Sequence, residues 1–401
     1  VAFILIFSWG LLLLFSRLRA ESLFTLPLVG CLFLALPPIF SFHVALGGGV
    51  LGALLAFTYD PATLALQVIL SGTAAGLGYA LLRDMQNRME IWRNLFLLGI
   101  SLALGGLALR VGIGLPVSWQ ILGSSLVSAA LWSSLVIAFL PLFENIFDVN
   151  SPLRLIELSH PSNPLLRRLQ LEAPGTYHHV LIVGILAESA ADRLGMNTLL
   201  VRAGAYYHDI GKLRRPRYFI ENQVPGENVH DGLSPTLSAL AIISHVRDGL
   251  RIAEARGIPR AIRRFIPEHH GTTVLGYFYK KALSRGIDVG IDQFTYPGPR
   301  PQSRETALVM LADSVEAAVK ASGQSFSDPR ELEELVSGVV ESKILGHQLE
   351  DVDFTLKDLA EIKRAFAEVL QSMRHSRQVG RAGDPPKGGG EDGRGRAPLR
   401  G

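Results

Sequence analysis

Ala205-Tyr-Tyr-His-Asp-Ile-Gly-Lys212 sets two hard metal ligands, His208 and Asp209, side by side where a Leu- and Ala-rich run ends. Successive residues on a helix point about 100° apart, so a His-Asp pair at a helix end can face two ions at once, its carboxylate bridging them. Alone, the dipeptide carries little weight. Its meaning rests on the other ligands the chain can bring to it.

Those ligands are numerous. His178 and His179 open a helical pattern, His245 sits among Ile242, Ile243 and Val246, His269 and His270 follow Pro267, and Asp313 lies within Met310-Leu-Ala-Asp-Ser-Val315. A lone buried histidine is more often a satisfied core residue, and His245 by itself would be read that way. The set read jointly points elsewhere. Neutral imidazoles with carboxylates suit Fe, Mn or Zn. The one cysteine, Cys31, lies inside an apolar run, so neither a disulfide framework nor a thiolate site is available. Two divalent metal ions about 3.5 to 4 Å apart can activate a bridging water and stabilise both oxygens of a phosphoester displacement. No Ser, Cys or Thr nucleophile is then required.

The pattern around these ligands is helical. Val180, Val183, Ala187, Ala190, Ala191 and Leu194 recur at i, i+3, i+4 spacing and predict an amphipathic helix ending near Gly195. Ser234-Pro235 starts a second helix, with Ile242, Val246, Leu250 and Ala253 on its apolar face. Ser303 caps a third through Leu308, Leu311, Val315 and Val319; Asp328-Pro329 opens a fourth. Thr355-Leu-Lys-Asp358 is a capping pattern before a fifth that ends near Met373. No alternating strand pattern separates them, so 175–374 is expected to be an all-α bundle. Ser151-Pro152 and Pro161 to Pro164 punctuate a linker over 148–174. Beyond Arg374 the chain turns to Gly, Arg and Pro, and 375–401 is read as a disordered tail, solvated or at a membrane surface. No nucleic-acid partner is expected.

Residues 1–147 differ in kind. Between Val1 and Leu82 the only formal charges are Arg17, Arg19, Glu21 and Asp60, and the apolar runs approach the roughly 20 residues that cross a bilayer. The expected architecture is a multi-span transmembrane helical bundle in contact with the lipid bilayer. Its spans are Val1 to Ser16, Leu23 to Phe42, Val44 to Thr58, Ala62 to Leu82, Leu95 to Leu115 and Trp119 to Leu142. Arg83, Arg88 and Arg93 mark a cytoplasmic loop, which puts the charged half of the chain in the cytoplasm too. Arg17 and Arg19 conflict with that parity. No Asp, Glu or Lys lies deep in a span, which speaks against a transporter and for an anchor or signal-receiving bundle. The chain opens at Val1 inside an apolar run, so a further N-terminal part is expected. The basic pI of about 9.0 follows from Arg at membrane edges and in the tail.

The longer motifs carry a resemblance. Gly175-Thr-Tyr-His-His179, His208-Asp-Ile-Gly-Lys212, Tyr218-Phe-Ile-Glu-Asn-Gln223, Tyr296-Pro-Gly-Pro299 and Arg304-Glu305 are similar to the seven-transmembrane-receptor HD family. The resemblance is close from Glu157 to about Met373 and loose over the membrane half. It implies a bacterial, multi-pass plasma-membrane protein whose cytoplasmic, all-helical HD domain hydrolyses cyclic di-AMP to linear pApA, controlling a second messenger. It also implies two divalent ions, Fe or Mn: one among His179, His208, Asp209 and Asp313, the second held by Asp209, His245, His269 and His270. Between His178 and His179 spacing cannot choose; the resemblance favours His179 and leaves His178 to orient the site or face solvent. Gly271-Thr-Thr273 follows His269-His270 where a Gly-Tyr-Pro would mark cyclic di-GMP enzymes. Lys212, one turn beyond the pair, is a candidate to meet a phosphate as a point charge and stabilise developing charge; a solvated helix end is the competing reading. Glu305, eight residues before Asp313 and on roughly its face, is a candidate to reach a substrate base or a bound water, against an ordinary helix-start carboxylate. Tyr296 would shape a loop over the pocket. Another nucleotide substrate, or a membrane receptor that binds nucleotide without turnover, are the rival functions, and a homodimer is left open.

Overall fold

In the computed structural model the described residues are 88–112, 150–224, 226–323 and 328–382, with isolated positions between 113 and 149. They divide into two compact units, one of the described residues up to 171 with 251–264 and one of 172–250 with the described residues from 265 onward. The expected spans through Leu82 lie outside the described residues.

In the first unit, α1 (Arg88–Gly112) buries the stripe Ile91, Leu95 and Leu98. It covers most of the expected span from Leu95 to Leu115, but opens on Arg88, Glu90 and Arg93. Among the described residues no helix is long and apolar enough to cross a membrane. The stretch read as linker is more ordered than its prolines suggested. It holds α2 (Pro152–Ser159) and α3 (Pro164–Glu172). The same prolines explain this, since Pro at a first helical turn loses no needed N–H. Ser151 caps α2 by accepting from the Arg154 N–H at 3.1 Å, and the Arg154 guanidinium donates to the Glu144 carbonyl and to Asn145 Oδ1 at 2.8 and 2.9 Å.

The second unit is all-helical, and its only strand-like pairing among the described residues is the bridge between Val274 and Thr295. Its elements are α4 (Pro174–Arg193), α5 (Thr198–Tyr207), most of α6 (Pro235–Ala255), α7 (Phe265–Glu268), α8 (Gly276–Ser284), α9 (Arg304–Ser322), α10 (Pro329–Leu345) and α11 (Leu356–Ala382). α4 is the central element, packed by α5, α9 and α11, and α10 closes against α9 and α11. The shared core runs through Val183, Leu186, Ala187, Phe265, Leu308, Leu311, Val336, Ile362 and Phe366. Each such side chain taken out of water contributes about 1.5–3 kcal/mol, which makes this face the main support of the site above it.

The predicted starts are where the caps put them. Ser303 and Thr306 form a capping box on α9, Asp328 accepts from the Arg330 N–H at 2.9 Å, and Thr355 and Asp358 exchange backbone-to-side-chain bonds at 3.0 and 3.1 Å. α4 ends at Arg193, followed by Gly195 at φ +62°. One end differs: α11 continues past Met373 to Ala382. Arg374-His-Ser-Arg-Gln-Val holds no residue that breaks a helix, and the first proline comes only at Pro385.

Candidate metal centre

Five separate segments deliver the ligands. The motif Tyr218 to Gln223 fastens the start of α4: Asn222 Oδ1 accepts from the N–H groups of Gly175 (2.9 Å) and Thr176 (3.2 Å), and Glu221 Oε1 accepts from Thr176 Oγ1 at 3.1 Å. That fixes the first turns of α4, where His179 is buried and His178 exposed. α5 ends as the His208 N–H bonds the Gly204 carbonyl at 3.0 Å; Asp209 then leaves helical geometry at φ −107°, ψ 12°, and a 3-10 turn over Ile210–Arg214 follows. Gly211 lies against α6, where an added Cβ would stand 1.8 Å from the His245 carbonyl oxygen. α7 ends at Glu268 and turns through His269 and His270 to Gly271, at φ +53°. α9 supplies Asp313.

These elements converge on Asp209, whose two oxygens face two different sets. Oδ2 lies 3.5 Å from His179 Nε2 and 3.2 Å from His208 Nε2; Oδ1 lies 3.3 Å from His245 Nε2 and 3.7 Å from His269 Nε2. Asp313 Oδ1 is 3.0 Å from His179 Nε2 and 3.8 Å from His208 Nε2, and its Oδ2 is 3.9 Å from His270 Nδ1. Three overlapping groups have ligand atoms close enough to hold an ion: His179, His208 and Asp313; His208, Asp209 and His269; His245, His269 and His270.

The tautomers suit that purpose. His208, His245 and His269 turn Nδ1 toward the carbonyls of Ala205, Ile242 and Ile266 at 2.7, 2.6 and 2.7 Å. Donating Nδ1–H there leaves the Nε2 lone pair facing the centre. His179 Nε2, His208 Nε2 and Asp209 Oδ1 are buried without a hydrogen-bond partner. Buried polar atoms left so are costly, and three of them pointing into one space fit a divalent ion.

Burial lowers the pKa of His245 and His270 and takes His269 to about 3, so these imidazoles are neutral. Burial would lower His179 as well, but the carboxylates of Asp313 and Glu316 outweigh it and raise it to about 10. Burial opposes ionisation of Asp209, yet Lys212 and the surrounding imidazoles hold it well below the usual carboxylate range; the neighbouring histidines do the same for Asp313. The donor set therefore includes ionised Asp209 and Asp313 with neutral His245, His269 and His270, the chemistry that Fe, Mn or Zn favours, while His179 would have to release a proton to bind a divalent ion.

The predicted auxiliary residues fare unequally. Tyr296 does reach the site, its ring stacked on His270 at 4.1 Å. Lys212 is neither a solvated helix end nor open to a phosphate: its Nζ is 2.7 Å from both Asp209 Oδ2 and Glu221 Oε1. An ammonium between two carboxylates is already neutralised. His178 does not join the cluster, because its neighbour takes the inward direction and the next residue on a helix points about 100° away. Glu305 is half-buried in the first turn of α9, with no hydrogen bond or ion pair to the cluster; eight residues of helix put Asp313 about 12 Å along the axis, beyond a glutamate's reach.

Three acids and an amide went unread in the sequence. Glu316 Oε2 sits 2.7 Å from His179 Nδ1, and Glu221 pairs Lys212. Buried Glu268 accepts from the Gln302 N–H at 2.8 Å and Thr306 Oγ1 at 2.6 Å. Gln348 Oε1 accepts from the Thr272 N–H at 2.9 Å, two residues past His270. Two had a signal: Glu316 follows Asp313 by three on the same face of an otherwise apolar stretch, and Glu221 lies within the Tyr218 to Gln223 motif.

A helical bundle that gathers five imidazoles and two carboxylates, with one aspartate between two sets, is an HD-like arrangement able to hold metal ions. Residues 176–318 match the HD domain model. The chain is 44% identical over 251 residues to the cyclic-di-AMP phosphodiesterase PgpH of Bacillus subtilis, covering 63% of this chain and 35% of that protein. It is 36% identical over 339 residues to PgpH of Listeria monocytogenes, covering 81% of this chain and 45% of that protein. It therefore spans less than half the length of these relatives. The crystal structure of the L. monocytogenes PgpH HD domain in complex with cyclic-di-AMP is 41% identical with a TM-score of 0.51, covering 53% of this chain and 99% of that domain. Through this domain the chain belongs to the HD-domain family.

Proposed function

We propose that the chain is a metal-dependent HD phosphodiesterase that hydrolyses cyclic di-AMP to linear pApA and so sets the level of that second messenger. The observation that carries this reading is Asp209, one oxygen toward His179 and His208 and the other toward His245 and His269. In this reading His179, His208, Asp209 and Asp313 hold one divalent ion, and Asp209, His245, His269 and His270 hold a second, with Fe or Mn as the fitting metals. When bound, such a pair supplies Lewis-acid chemistry that activates water and takes up charge on phosphoryl oxygens. The chain's own residues prepare this: three backbone carbonyls hold the Nδ1–H tautomers, Lys212 keeps Asp209 ionised and oriented, and Tyr296 walls off one face of His270. The substrate reading draws on the relatives named above and on the absence of Gly-Tyr-Pro after His270. Residues 1–147 serve as a bacterial plasma-membrane anchor with the HD domain in the cytoplasm, a reading supported by their composition and by likeness to the two PgpH proteins.

The test is turnover by the purified 401-residue chain with Mn²⁺ supplied. Cyclic di-AMP, cyclic di-GMP, and nucleoside mono- and triphosphates are offered in parallel, and products are separated chromatographically. Release of pApA from cyclic di-AMP is the expected result. Turnover of a different nucleotide instead would change the substrate, and metal uptake with no turnover of any would make the centre a receptor.

A further inference from the structure

Four imidazoles of the centre have a partner on Nδ1, and they are not alike. His208, His245 and His269 use neutral backbone carbonyls of their own turns. His179 uses the Glu316 carboxylate, at 2.7 Å, delivered by a different helix 137 residues away. Glu316 is buried, and α9 carries it one turn beyond Asp313. A carbonyl accepts a hydrogen bond and adds no charge; a carboxylate does both, raising the electron density of the ring it holds. We infer that Glu316 is the positioning residue of the His179 side: it holds Nδ1–H so that Nε2 faces Asp209 and Asp313, and its charge strengthens that nitrogen as a ligand. Among the described residues no side-chain carboxylate does this for His208, His245 or His269, so the two sides of the centre are built unequally. Lys212, against Asp209 Oδ2, works in the opposite sense on the same side. A carboxylate behind His179 offsets that cation and keeps this side favourable to a divalent ion.

The inference rests on the two-ion reading above, and the experiment separates them. The metal-free 401-residue chain is titrated with Mn²⁺ by calorimetry, and bound metal is counted by elemental analysis. Glu316→Ala and Glu316→Gln are each placed in two backgrounds: His270→Ala, which cripples the opposite side, and Asp313→Ala, which cripples the His179 side. In the His270→Ala background, Glu316→Ala is expected to weaken Mn²⁺ binding by about 10- to 100-fold and Glu316→Gln by less. In the Asp313→Ala background the same changes should move it by under about twofold, because the binding that remains is on the side Glu316 does not touch. Far-UV circular dichroism checks the fold, and Glu316→Gln, which keeps the shape and an acceptor oxygen, holds the test if the alanine variant unfolds. No loss in the His270→Ala background, or equal loss in both, overturns the inference. An unsubstituted chain that takes up no Mn²⁺ overturns the two-ion reading itself.

Discussion

Asp209 is a buried carboxylate with two oxygens in different company, and that division makes it the single residue on which both ligand sets depend. Asp209→Ala should lower bound Mn²⁺ from about two ions per chain to below about one and abolish pApA release; a variant that still holds two ions would show that Asp209 bridges nothing. Lys212 makes the complementary case. Its ammonium is nearly enclosed between Asp209 and Glu221, and removing one partner of such a buried group leaves the rest uncompensated. Lys212→Met should therefore destabilise the metal-free chain by about 3–5 kcal/mol, with much of the loss recovered by adding Glu221→Gln. Equal urea midpoints for wild type and Lys212→Met would refute this. A lysine one turn past a His-Asp pair suggests a phosphate from sequence, because the acid nine residues further on cannot be known to fold back.

At the scale of elements, the close approach of the 210–214 turn to α6 decides whether His245 can meet Asp209. Gly211 makes that approach: a Cβ there would stand 1.8 Å from the His245 carbonyl oxygen and 2.6 Å from the Gly249 nitrogen. Both are backbone atoms in a helix, so neither can swing away. Gly211→Ala should cost about 1–3 kcal/mol or more and reduce metal binding on the His245 side, seen as a lower urea midpoint and less bound Mn²⁺. Gly338, exposed on α10 with nothing within 4 Å of an added Cβ, is the contrast; Gly338→Ala should stabilise by about 0.5–1 kcal/mol. A destabilised Gly338→Ala, or a neutral Gly211→Ala, would contradict the packing described. The helices themselves were legible because caps and apolar spacing are properties of neighbours: Ser303, Asp328 and Thr355 each start the helix expected of them. The turn containing Gly211 was not, since nothing within its own few residues says what packs over it.

For the whole domain the consequence is a defined response to acid. His269 is held at about 3 and His245 and His270 below 6.5 by burial, whereas an unfolded imidazole titrates near 6.5. Below about 6.5 the unfolded chain thus binds more protons than the folded one, so stability is full above that pH and falls as pH drops toward 3. Asp209 and Asp313, with lowered pKa values, act in the same direction below about 4. His179, raised to about 10, acts in another window: its contribution is complete below 6.5 and is lost as pH rises through about 10. Urea midpoints of the metal-free chain at pH 8, 6.5, 5 and 4 should be highest near pH 6.5, lower at pH 8 through His179, and decline through the last two. A midpoint unchanged between pH 6.5 and 4 would mean that these histidines are not held neutral.

The sequence by itself determined the helical class, the helix starts, the apolar composition of residues 1–82 and six histidines and two aspartates as candidate ligands. These follow from periodicity, capping and donor chemistry, which act within a turn or two of chain. Only the tertiary structure decided that His179 rather than His178 turns inward, that Lys212 is committed to Asp209 and Glu221, and that Glu316 stands behind His179. Those relations join residues up to 137 positions apart. Their distances are set by how α4, α9 and the 209–222 segment pack together, which no local pattern encodes.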